Sequence, residues 1–320
     1  MKMKMAAALS AVVAAALLSG CSGTATPAAS GSASAGTSGQ KLRIALVMSH
    51  LTNSFTTTFS EAAKAEAVKQ GVDLTVLDAK KDATTQVGLI ETAVTQQYDG
   101  IMVEPASVDG VKPAFETAKK ADIPIMAVVQ KLSDQSLSAS YVGGDDLAAG
   151  RLEMEKAVEA IGGKGNIAIL YGPMGSDAQL VRKKGYDEVL AKNPDVKVVF
   201  EQSANWVTDE ALKITENWLQ TGKTINAVVA QNDGMAVGAA KAVSDAQLTD
   251  KVIVTGVDAT PEGLAAIKAG QMVGTVSQDT AGMGVLSVQT MIKVIKKEKV
   301  DAEYKTTPQW VNKDNVAQFK

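Results

Sequence analysis

Aliphatic runs recur in this chain about every thirty residues, and that spacing constrains the fold more than any other feature. Runs rich in Val, Ile and Leu begin near Leu42, Val72, Asp99 and Ile123, at intervals of 30, 27 and 24 residues. A second series begins near Asn166, Val196, Ile225 and Val252, at intervals of 30, 29 and 27. A strand, a helix and two short loops fill about 30 residues, so each series predicts consecutive right-handed βαβ units in a parallel sheet. The intervening segments are helical in pattern: Phe59, Ala62, Ala63 and Ala67 share one face of a helix that stops at Gly71. Two series of this length exceed one small core, so two α/β lobes are expected. Ser140 to Asp146, a short strand ending in two glycines and two carboxylates, reads as a crossing between them, with the aspartates capping a helix that starts near Leu147. A further helix from about Ala281 to Lys297 and a tail with Pro308 imply more than one crossing.

Residues 1–40 do not share this pattern. Lys2 and Lys4 precede an apolar stretch from Ala6 to Leu18, and Leu18-Ser19-Gly20-Cys21 closes it with small residues. That is the layout of an export signal, 1–20, and the stretch is shorter than the ~20 residues that span a bilayer. Leu-Ser-Gly-Cys resembles a bacterial lipobox, which makes Cys21 the expected lipid attachment site; an ordinary secretory signal with a chance cysteine is the alternative. Residues 21–40, nearly all Ser, Gly, Ala and Thr after Cys21, have too little apolar area to offset the entropy of ordering and read as a flexible tether. Losing Lys2 and Lys4 takes the formal charge from -3 to -5, so nucleic acid is not an expected partner.

In open parallel sheets, ligands sit beyond the carboxyl ends of the strands. Those positions hold Asn53 and Phe55 after the first strand, Gln130 after the fourth, and Trp206, Asn232 and Asp258 in the second series, with Gln278 after the strand Val273 to Ser277. Amides, a carboxylate and aromatic rings together suit a carbohydrate, whose hydroxyls donate and accept while its C–H faces stack. Phe55 and Trp206 are the candidate plates, and Asn53, Asn232, Asp258, Gln278 and a nearby arginine the candidate hydrogen-bonding groups. Structural roles compete at each. Asp233 reads as the cap of a helix from Gly234 to Ala246, and Asn232 reads equally as a turn residue. Phe55 and Trp206 suit core packing, Asn53 and Gln278 a solvated surface, and the single histidine, His50, a loop. Asp258 is freer, because Thr260 and Pro261 already start the next helix. One histidine and one cysteine exclude common metal and Cys/His sites, and the phosphate loop, nucleophile elbow and dinucleotide fingerprint are absent, so neither catalytic residue, metal nor cofactor is expected.

The segments "AVVAQNDGMAVGA", "VTGVDATPEG" and "GGKGNIAIL" resemble the periplasmic sugar-binding proteins of ribose type, over about Lys41 to Gln309. The resemblance implies two Rossmann-like lobes with parallel sheets, three hinge crossings and a ligand cleft between the lobes. The boundaries it suggests are 41–144 with 279–307 for one lobe and 145–278 with 308–320 for the other. It also implies hinge closure on a monosaccharide and delivery to an ABC permease with its ATPase subunit. Its cleft residues fall on Asn53, Phe55, Arg182, Trp206, Asn232, Asp258 and Gln278. Phe55-Thr56 replaces a frequent aromatic pair, and Val129-Gln130 replaces a usual Asp-Arg pair. Two charged contacts are thereby lost, which points away from ribose toward another pentose, a hexose, a deoxy sugar, a polyol or a cyclitol, with Gln130 restoring part of the bonding. The expected molecule is a monomer anchored outside the cytoplasm by its N-terminal lipid. A ligand-presenting partner of a chemoreceptor or sensor kinase shares the same pocket; a transcription regulator's effector domain and an enzyme on this fold fit less well.

Overall fold

The structure is a computed structural model and describes residues 41–319. The export signal, the tether and Cys21 lie outside the described residues.

The first series forms β1 (Arg43–Met48), α1 (Ser54–Gln70), β2 (Asp73–Asp78), α2 (Ala83–Thr95), β3 (Gly100–Val103), α3 (Lys112–Lys120), β4 (Ile125–Val128) and β5 (Tyr141–Gly144). The chain then enters α4 (Asp146–Ala160), β6 (Gly165–Tyr171), α5 (Asp177–Leu190), β7 (Val196–Ser203), α6 (Thr208–Gln220), β8 (Ala227–Ala230), α7 (Asp233–Asp245), β9 (Ile253–Asp258), α8 (Pro261–Lys268) and β10 (Gly274–Ser277). It ends with α9 (Thr280–Ile295), β11 (Glu303–Thr306) and β12 (Gln309–Asn312). Two six-stranded sheets result, in the orders β11-β5-β4-β3-β1-β2 and β12-β10-β9-β8-β6-β7. The first is wholly parallel, and the second is parallel except for β12, which runs antiparallel to β10. The strands are short apolar runs because helices cover both faces of each sheet. Ile44, Leu46 and Met48 pack toward α1 and α9, while Ala45 and Val47 face the cluster formed with α2 and α3.

The chain passes between the sheets three times: from β5 into α4, from β10 into α9, and from β11 into β12. Both sheets reverse winding direction beside their first strand, where β1 lies between β2 and β3 and β6 lies between β7 and β8. Loops leave in opposite directions at such a point and open a crevice at the strand ends. Among the described residues no helix is long and apolar enough to cross a membrane.

Candidate ligand-binding site

A cavity lies between the two strand-end crevices. All eight candidate contact residues line it: Asn53, Phe55 and Gln130 from the first lobe, Arg182, Trp206, Asn232 and Asp258 from the second, and Gln278 at a crossing. The wall also contains Val129, Glu104 and Asp146. The last two were missed by sequence reasoning, although Glu104 directly follows the apolar run of β3 and so met the strand-end rule used for the others. Asp146 had been read as a helix cap. Asp145 performs that role instead, accepting from Ala148 N at 3.1 Å.

Asn53 and Asn232 occupy matching places. Each ends a loop from a strand and caps the following helix: Asn53 Oδ1 accepts from Thr56 N at 2.9 Å, and Asn232 Oδ1 accepts from Met235 N at 3.0 Å. With Oδ1 held by the backbone, the amide nitrogen of each remains a donor on a residue that lines the cavity. The expected cap of α7, Asp233, is its first residue and is completely buried. Its carboxylate accepts from Thr260 N at 2.7 Å and from the hydroxyls of Thr260 and Thr275, tying the starts of α7 and α8 to β10. Thr260 caps α8 as its sequence implied, accepting from Gly263 N at 3.2 Å.

Arg182 is buried in α5 and is pinned at two points. Its Nε donates to Asp146 Oδ1 at 2.8 Å, and a terminal nitrogen donates to the Gln231 carbonyl. Burial alone lowers a guanidinium's affinity for its proton, but Asp146 and Asp258 outweigh that here and hold Arg182 firmly charged. The guanidinium carbon lies 5.8 Å from the centroid of Trp206, within cation–π range. The indole lies directly against Gly172, where a Cβ would come 2.0 Å from its ring. Asp258 accepts from Gln278 Nε2 at 2.9 Å; burial raises its carboxyl well above the usual range, with Arg182 pulling the other way. Burial likewise raises Glu104 to about 7, although the Ser49 N–H and hydroxyl both donate to Oε2, at 3.1 and 2.8 Å. Ser49 Oγ also contacts Nδ1 of His50, at 2.9 Å. His50 is a loop residue, as expected, but a buried one, and burial keeps it neutral down to about 4.

Val129, Trp206 and Asp258 have positive φ angles of 63°, 60° and 124°. Such backbone costs about 1–3 kcal/mol per residue and persists where the surroundings over-determine it, commonly at ligand sites. Across the cleft, Lys131 N donates to Asp177 Oδ2 at 2.9 Å, Lys81 Nζ to the Asn205 carbonyl at 3.2 Å, and the Ser54 hydroxyl to Glu262. Among the described residues no group of three or more His, Cys, Asp or Glu is placed to hold a metal ion.

Two α/β lobes meeting over a polar, aromatic-walled cavity define a cleft-type binding protein for a small molecule. The model of the periplasmic binding protein domain matches residues 44–299, and the chain belongs to that family. It is 37% identical over 270 residues to a xylitol-binding protein of Mycolicibacterium smegmatis, an alignment covering 82% of this chain and 75% of that one. It is 30% identical over 261 residues to the ribose import binding protein of Escherichia coli, covering 82% and 87%. Among solved structures it resembles an ABC transporter periplasmic solute-binding protein from Actinobacillus succinogenes with bound D-allose. That pair has 35% identity and a TM-score of 0.82, and covers 87% of this chain and 100% of the other. A solute-binding protein from Bacillus halodurans with bound myo-inositol gives 32% identity and a TM-score of 0.84 over 88% and 98%.

Proposed function

We propose that this protein captures one monosaccharide, polyol or cyclitol between its lobes and delivers it to an ABC-type permease and its ATPase. The observation that carries this reading is a cavity into which both lobes project. Asn53, Gln130 and Asn232 offer amides, Arg182 and Asp258 offer charged groups, and Phe55 and Trp206 offer ring surface. Hydroxyls both donate and accept, so only a mixed lining satisfies a polyol without leaving buried polar groups unpaired. A ligand bonded to both walls favours the closed arrangement to the extent that it binds that arrangement better than the open one. Micromolar affinity corresponds to about 8 kcal/mol, which four or five charged or amide hydrogen bonds and two stacked faces can supply after ordering costs. The family consists of binding proteins, and in this reading the chain performs no catalysis. It works outside the cytoplasm as a monomer held to the membrane by lipid on Cys21.

A thermal-shift screen of residues 41–320 against sugars, polyols and cyclitols, followed by calorimetry, tests the reading. Asp258→Ala and Arg182→Ala should each abolish the stabilisation given by the best ligand while leaving a cooperative melt. Undiminished binding in both variants would place the pocket elsewhere. Cys21→Ala should release the protein from cells; continued attachment would remove the lipid from the account.

A further inference from the structure

We infer that Glu104 sets the charge this cavity accepts, so that the site takes neutral and ammonium-bearing polyols and rejects those carrying a carboxylate or phosphate. The inference rests on the reading of the cavity as a polyol site and adds a rule about which polyols enter.

Charge in the lining is unbalanced. Three carboxyls, Glu104, Asp146 and Asp258, face the same cavity as one guanidinium, Arg182. That guanidinium is already engaged by Asp146 and by the Gln231 carbonyl. Among the described residues, neither Glu104 nor Asp258 forms a salt bridge with any Lys, Arg or His; the acceptor role of Asp258 is met by the Gln278 amide. Two helices, α1 and α7, direct N-termini at the cavity through Asn53 and Asn232, and each contributes about half a positive charge. Even with both included, three ionised carboxyls leave an excess of negative charge.

Glu104 is the only charged side chain on its wall, where its neighbours in the lining are Asn53, Phe55, Val129, Gln130 and Met283. Its side chain is 2% exposed and is fixed by Ser49 on a single carboxylate oxygen, so it cannot turn away from an incoming group. In a buried site, removal of two like charges from water is costly and their repulsion is poorly screened. An anionic ligand could therefore enter only by forcing protons onto Glu104 and Asp258. A hydroxyl donates to either carboxyl without that penalty, and an ammonium offers the counter-charge that the wall lacks. Burial already raises both carboxyls above their usual range, with Arg182 opposing it at Asp258, and a further negative charge beside them would raise them more.

Calorimetry on the purified protein at pH 7.5 tests this with two series that share a skeleton and differ in charge. One is xylitol, 1-amino-1-deoxyxylitol and xylonate; the other is D-ribose, 2-amino-2-deoxy-D-ribose and D-ribonate. In at least one series the amine should bind ten-fold or more tighter than the acid, and Glu104→Gln should shrink that ratio by roughly ten-fold, whatever it does to the neutral member. Glutamine preserves shape and can still accept from Ser49 N. If the variant does not fold, the ratio in the unaltered protein remains decisive, because an acid that binds as tightly as the amine overturns the inference. Neutral binding with a charge ratio that Glu104→Gln leaves unchanged would overturn the inference and leave the polyol reading intact. Binding of none of the six would overturn the inference and leave the wider reading to the thermal-shift screen.

Discussion

At the scale of residues, Gln231-Asn232-Asp233 shows how three adjacent polar side chains at one strand end divide their work. Gln231 is structural: its Oε1 accepts from Gly172 N at 3.0 Å and its Nε2 donates to the Gln179 carbonyl at 3.0 Å, tying the loop after β6 to α5. Asn232 caps α7 and lines the cavity, and Asp233 gathers Thr260 and Thr275 beneath it. Turn residue and ligand contact were the alternatives for Asn232; its oxygen caps α7, and under the proposed function its amide nitrogen is the group that meets the ligand. Asn232→Ala should therefore lower stability by about 1 kcal/mol, the usual value of a cap, and also weaken ligand binding roughly ten-fold. Asn232→Ser should restore the melting temperature but not the affinity, since serine caps a helix and lacks the amide nitrogen. Thermal melts and calorimetry on the two variants separate the roles; recovery of affinity with serine would show that the amide does not contact ligand.

At the scale of elements, the position of Arg182 depends on how closely α4 and α5 approach. Gly150 of α4 lies against the backbone of α5, and a Cβ there would come 2.4 Å from the Arg182 carbonyl oxygen and 2.8 Å from its Cα. Gly185 faces α4 in the same way, 2.7 Å from Arg151 N. Alanine is favoured over glycine in a helix by up to about 1 kcal/mol. The clash is with main chain, however, and overpacking of that kind costs about 1–3 kcal/mol. Gly150→Ala should thus destabilise the protein and weaken binding ten-fold or more by moving Arg182. Gly88→Ala, on the exposed face of α2 with nothing within 4 Å, should stabilise by roughly 0.5–1 kcal/mol and leave affinity unchanged. Chemical denaturation of both variants, with calorimetry, checks the pair. The elements themselves were largely legible in the sequence, since spacing and apolar runs gave strand starts within two residues of those observed. The Gly150–Arg182 approach was not, because a glycine within a helix carries no sign of which backbone will lie against it.

At the scale of the whole molecule, buried carboxyls make stability depend on pH. Burial pushes Glu153 up to about 8 and Asp233 to about 7, and Glu104 stands at about 7. A carboxyl with a folded value above its unfolded one binds more proton in the folded state, so its contribution is complete at low pH and is lost as pH rises through the folded value. His50 acts oppositely, but only between about 4 and 6.5, where the folded state binds less proton than the unfolded. Between pH 6.5 and 8 the carboxyls alone decide the sign, and the ligand-free protein should melt lower at pH 8 than at pH 6.5. Glu153 accounts for on the order of 1–2 kcal/mol of that fall, a few degrees in a domain of this size. Glu153 accepts from the Tyr186 hydroxyl and, at 2.9 Å, from Thr255 Oγ1, and an amide can satisfy both partners. Glu153→Gln should consequently flatten the profile, and scanning calorimetry across that range would detect an unaltered slope.

The periodic alternation of apolar strand and amphipathic helix was enough to determine two α/β lobes with parallel sheets, because local burial patterns follow directly from residue order. The strand-end rule also located seven of the eight candidate residues that line the cavity, since parallel strands carry their ends to a common edge, while Arg182, within α5, came from the family resemblance. Only the tertiary structure decided which carboxyls share the cavity with Arg182, that Asp146 rather than a more distant acid pairs with it, and that Asp233 turns inward. Those outcomes depend on how two lobes and their crossings meet in space, where desolvation and charge act between residues that sequence separation keeps apart.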